Sequence, residues 1–121
     1  MFSEVQGPHE EWMDEPYDYA PDKWMLIQIT GTDPHYRVFG SWSGSYLGSD
    51  SWRLNSGIMS VKQVGDYYFF YGHTGSVYLC HKEMYGSTVY GWSIAQDLAK
   101  RSGNTMYLID EPEDILNFEW V

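Results

Sequence analysis

Seven cations and a single cysteine in 121 residues close off two large classes of function. Direct binding to a nucleic-acid backbone needs clustered Lys and Arg, whereas here seventeen Asp and Glu outnumber them, for a net charge of −10. Cys80 alone excludes an internal disulfide and a cysteine-rich zinc site. No apolar run approaches the ~18 residues of a spanning helix, so no membrane role is expected. Met1-Phe2-Ser3-Glu4 has neither the basic start nor the apolar stretch of a secretory signal. A cytoplasmic protein with one folded domain is expected, because two domains of half this length would each be marginal.

What the chain has in abundance is aromatic residues, at 18%, and a lopsided charge. Residues 1–23 carry a net −6, residues 24–95 are neutral, and residues 96–121 carry −4. The first stretch is no ordinary solvating tail. Glu10, Glu11, Trp12, Asp14, Glu15, Tyr17, Asp18 and Tyr19 interleave carboxylates with large rings. Disordered tails are poor in aromatics, and interface cores are rich in them. Pro8, Pro16 and Pro21 disfavour a helix or a central strand there. Residues 1–22 therefore read as an extended arm and candidate partner-binding surface, and residues 23–121 as one domain.

Within the domain, the apolar run Lys23–Thr30 reads as a central strand and ends at the turn cluster Gly31-Thr32-Asp33-Pro34. From His35 to Trp42 the pattern has period two, with Tyr36, Val38, Gly40 and Trp42 on one face and Arg37, Phe39 and Ser41 on the other. Ser51–Leu54 is a short strand candidate. Gly57–Val64 and Tyr67–Tyr71 flank Gly65-Asp66 as a hairpin, and Ser76–His81 follows another Gly-rich turn. The period then changes. Trp92, Ala95 and Ala99, widened by Ile94 and Leu98, predict a helix between Ser87 and Arg101. Ser87 or Thr88 suits its cap and Gly103 its stop, although Gly91 costs about 1 kcal/mol relative to Ala. Asn104–Ile109 reads as a last strand, and Asp110–Asp114 as a short helix or an acidic turn. The expected fold is α+β: an antiparallel meander of five to seven strands with one helix across a face.

The chemistry-bearing residues form no recognised catalytic or metal-ligand spacing. On one strand Cys80 and His81 point to opposite faces, so they do not share an ion, and a lone strand cysteine is a small buried hydrophobe. No cofactor and no enzymatic activity are expected. Gly72-His73-Thr74-Gly75 offers backbone N–H groups but lacks the lysine and helix of a phosphate-binding loop. A small nucleotide pocket built from Arg37, Arg53, His73 and Ser76 is the alternative expectation, with Arg53 either paired to Asp50 or held for an anion.

Three stretches carry a resemblance: the Val38-Phe39 strand, Asp50-Ser51-Trp52-Arg53-Leu54-Asn55-Ser56-Gly57-Ile58, and Gly75-Ser76-Val77-Tyr78 continuing through Cys80-His81-Lys82 to Tyr85-Gly86. Over residues 24–86 the chain resembles small accessory proteins encoded by tailed bacteriophages. The resemblance implies a viral protein acting in a bacterial cytoplasm and carries no activity with it. Such proteins commonly act by occupying a host protein. The leading expectation is an inhibitor of a host nucleic-acid-acting protein, whose basic groove is met by carboxylates spaced like phosphates.

Overall fold

Lys23–Ile29 is apolar on both of its alternating faces, and the strand it forms is buried on both. In a computed structural model, which describes residues 16–44 and 50–120 of the protein, this strand, β1, pairs antiparallel with β2 (His35–Trp42). The short strand β3 (Ser51–Leu54) extends β2, with Phe39 opposite Leu54. Three further strands, β4 (Ile58–Val64), β5 (Tyr67–Gly72) and β6 (Val77–His81), form successive antiparallel hairpins. A helix, α1 (Val89–Arg101), precedes β7 (Met106–Leu108), which returns to the free side of β1. The fold is α+β, with all strand pairs within the sheets antiparallel.

The strands divide into two sheets rather than one continuous meander, of order β3-β2-β1-β7 and β4-β5-β6. The break falls at Asn55-Ser56-Gly57. Asn55 still holds β2, its N–H on the Val38 carbonyl at 3.0 Å and its Oδ1 accepting from Val38 N–H at 2.8 Å. Gly57, at φ 129°, then turns the chain into the second sheet. Two cores result. Trp24, Leu26, Val38, Ile58, Phe70, Tyr78 and Cys80 fill the space between the sheets, closed by Ile115 and Trp120 from the C-terminal segment. Met25, Ile27, Phe39 and Ala95 pack β1 and β2 under the helix.

Local chemistry explains the elements. Gly65, at φ 60°, makes the two-residue turn of the β4–β5 hairpin. Thr88 caps α1 by accepting from Gly91 N–H at 3.0 Å, and Lys100 and Arg101 occupy the last turn. Asp110–Asp114 resolves as an irregular acidic run and not a helix, with the Asp114 carboxylate holding Asn117.

The domain begins earlier than residue 23. Asp18 and Tyr19 donate backbone N–H groups to the Val77 carbonyl at 2.9 and 3.2 Å, and Leu79 N–H donates to Tyr19 at 2.8 Å. Pro21 is buried where Gly40 leaves room for its ring, and Trp42 Nε1 donates to Ala20. Asp18 and Tyr19 thus form a short parallel bridge to β6, while Ala20 and Pro21 rest against β2.

Gly91 reverses its sequence-level reading as a helix defect. A Cβ there would lie 2.7 Å from Ser41 Cβ and against Ser87 Oγ. The helix needs this glycine in order to approach β2. Gly91→Ala is expected to lower stability by about 1–3 kcal/mol despite the gain in helix propensity, measured by urea unfolding.

Candidate functional site

Five of the expected partner-binding residues, Glu10, Glu11, Trp12, Asp14 and Glu15, lie outside the described residues. The other three are divided. Tyr17 is exposed. The Asp18 carboxylate accepts from Val77 N–H at 2.7 Å, completing the edge of β6. Tyr19 is wedged between Tyr78, at 5.1 Å between ring centroids, and the Arg53 guanidinium, 4.2 Å above its ring. This contact corrects the reading of Arg53. The Asp50 carboxylate instead accepts from Gly44 N–H, and Arg53 is absent from the lining of the cavity that holds Arg37 and His73. Arg53 pins the arm's root to β3 through a cation–π contact.

Arg37 and His73 do meet. They line a cavity of about 330 Å³ with Asp33, Pro34, His35 and Ser56. The β1–β2 turn supplies Asp33 and Pro34, the start of β2 supplies His35 and Arg37, and the turns flanking the second sheet supply Ser56 and His73. Ser76, expected in this group, is not among the lining residues; its carbonyl closes the β5–β6 turn by accepting from Gly72 N–H.

The cavity is held by specific contacts. His35 Nδ1 lies 2.7 Å from the Asp33 carbonyl, and Arg37 Nε donates to His35 Nε2 at 3.0 Å. A carbonyl only accepts, so the ring proton sits on Nδ1 and the Nε2 lone pair orients the guanidinium. Gly57 lies between the two imidazoles: a Cβ there would be 2.7 Å from His73 Cδ2 and 3.2 Å from His35 Cδ2. Ser56 Oγ accepts from Thr74 N–H and from Thr74 Oγ1, each at 3.1 Å, which ties the β3–β4 turn to the β5–β6 turn. The buried amide Nδ2 of the neighbouring Asn55 has no hydrogen-bond partner, a cost of about 1–3 kcal/mol. His35 and Ser56 were not legible as site residues, because no motif spacing links them to Arg37 or His73.

The opposite charge gathers at the C-terminal segment. Asp110, Glu111, Glu113, Asp114 and Glu119 are all exposed, while Ile115 and Trp120 anchor the segment in the core. Beneath it, burial raises the Tyr85 phenol to about 12, helped by Glu111 and Asp110, and burial with Glu111 and Asp114 raises Tyr68 against the pull of Lys82. Tyr85 Oη donates to Ile109 at 2.8 Å and accepts from Leu26 N–H at 3.0 Å, so this hydroxyl takes the place of a strand partner beyond β7.

Cys80 is buried in the intersheet core, where loss of hydration pushes its thiol well above the ordinary range. His81, on the other face, meets Tyr67 edge-on at 4.9 Å. Among the described residues no three His, Cys, Asp or Glu side chains are placed to hold a metal ion, and no helix is long and apolar enough to cross a membrane. No protein-family model, curated protein or solved structure matches this chain.

The tyrosines make pH dependence testable. Burial, opposed by Arg53, raises Tyr78 to about 12, as burial does Tyr85, from an ordinary 10. An acid with a raised folded-state pKa contributes nothing below the unfolded value and costs stability above it. The melting temperature is therefore expected to fall between pH 10 and about 12. Tyr78→Phe should blunt that fall in thermal melts. Tyr85→Phe should instead cost about 1–3 kcal/mol at neutral pH, since it strands Leu26 N–H and the Ile109 carbonyl.

Proposed function

We propose that this chain is a non-catalytic accessory protein of a tailed bacteriophage that binds a host nucleic-acid-acting protein on its basic surface, as a means of counter-defence or host takeover. The observation that carries this reading is the C-terminal segment, where five exposed carboxylates stand on a cover anchored by Ile115 and Trp120. The ion pairs Lys82–Asp66 and Arg101–Asp97 draw on acids outside this segment. Charges held on a fixed surface present a field that a flexible tail does not. The acidic arm at the other end of the chain adds to the same sign of potential. The direct partner is thus a protein with a nucleic-acid-binding surface and not nucleic acid itself.

The reading is tested on the partner captured from host lysate. Its affinity should fall steeply as salt is raised, because exposed charges are screened over roughly 8 Å at physiological ionic strength. Neutralising Asp110, Glu111, Glu113 and Asp114 together should slow association about tenfold, and duplex DNA should compete for the same partner. Removing residues 1–15, which leaves the β6-paired Asp18 and Tyr19 in place, should keep the fold and weaken binding. Salt-insensitive binding that survives the fourfold neutralisation would falsify the phosphate-mimic reading.

A further inference from the structure

We propose that the cavity at the β1–β2 turn binds the phosphoryl group of a nucleoside monophosphate, whose base lodges in the cleft on the other side of Pro34 and His35. The phosphoryl end rests on three donors around one space: Arg37, His73 and Ser56. Arg37 commits Nε to His35 and has no other hydrogen-bond or ion-pair partner among the described residues, which leaves both terminal nitrogens of its fork for phosphate oxygens. The His73 ring likewise has no hydrogen-bond partner among the described residues, and the Ser56 hydroxyl accepts twice while keeping its own proton to donate. The pre-set Asp33–His35–Arg37 chain means that little side-chain freedom is lost on binding.

The base end rests on a second cleft, of about 390 Å³, that shares Pro34 and His35 with the first. Its remaining walls are Gln28, Ile29, Tyr36, Phe118 and Glu119. Tyr36 and Phe118 meet edge-to-face at 5.0 Å; Gln28, one of whose amide protons goes to Tyr36 Oη at 3.3 Å, keeps its other proton and its carbonyl for the edge of a heterocycle, and Glu119 adds a carboxylate. A bare anion would leave this cleft empty, and an uncharged nucleoside would leave the guanidinium unmet. Asp33 limits the charge. It is an exposed lining residue of a chain with net charge −10, so each added phosphate meets more repulsion and the monophosphate is preferred over the triphosphate. Arg53 takes no part, being stacked on Tyr19.

The test is calorimetric titration of the full chain with AMP, UMP, adenosine, inorganic phosphate and ATP. At least one monophosphate should bind about tenfold tighter than adenosine, phosphate or ATP. Arg37→Gln should cost about tenfold against the monophosphate and leave adenosine unchanged, while Phe118→Leu should weaken both and leave phosphate unchanged. Asp33→Asn should tighten the monophosphate, and Arg53→Ala should not alter it. Ligand-free melting of each variant checks the fold, with Arg37→Lys as the milder substitution if Arg37→Gln melts early. Absence of heat with both monophosphates up to about 5 mM, or an affinity indifferent to both Arg37 variants, overturns the proposal. Because Arg37 and Phe118 lie outside the acidic run at residues 110–114, the fourfold neutralisation described above should leave nucleotide binding intact, so the two readings fail separately.

Discussion

The two sheets are held in register by Trp24. Its backbone belongs to β1, yet its N–H donates to the Met84 carbonyl at 3.2 Å and its carbonyl accepts from Gly86 N–H at 2.6 Å, so the segment after β6 pairs with it across the sheet boundary. Its indole Nε1 donates to His81 at 2.7 Å, and its ring packs against Tyr85 at 4.9 Å and Phe70 at 5.3 Å. One side chain thus satisfies its polar atom, fills the intersheet core and ties β1 to residues of the second sheet. Tyr85 relays the constraint, since its hydroxyl joins Leu26 to Ile109 and so positions the C-terminal cover.

Both candidate surfaces depend on that arrangement. The Arg37–His73 cavity exists because the Asn55–Gly57 turn, where the chain changes sheets, lies beside the start of β2 and against the β5–β6 turn. The acidic cover exists because Ile115 and Trp120 close the intersheet core and leave the carboxylates in water. Phe118 links the two, packing on Tyr36 and Trp120 while it walls the second cleft. A chain dominated by negative charge thereby keeps one guanidinium at a cavity, where contacts between Asp33, His35 and Arg37 hold it in place.

Local signals carried the secondary structure well. The hairpin at Gly65-Asp66, the Thr88 cap and the doubly buried β1 all follow from short-range chemistry that the chain shows on its face. Sequence proximity misled where long-range packing decided. Asp50, three residues away, looked like the partner of Arg53, but the pairing of Tyr19 beside Tyr78 brings an aromatic ring under the guanidinium instead. Residues 18–22 lie against the sheets for the same reason, their polar groups meeting β6, Trp42 and Ser43. Gly91 weakens the helix locally, and only the close approach of Ser41 across the packing interface gives it a use.

Composition, charge distribution and residue periodicity determined the class of fold, the position of the strands and helix, and the acidic character of both ends. These are properties of neighbouring residues, and the hydrophobic effect reads them segment by segment. The division into two sheets, the meeting of Arg37 with His35, Ser56 and His73, and the diversion of Arg53 to Tyr19 were decided only by tertiary structure. Each depends on a turn or a crossing that brings together residues distant in sequence, and the side-chain period along a strand carries no information about what lies across the gap.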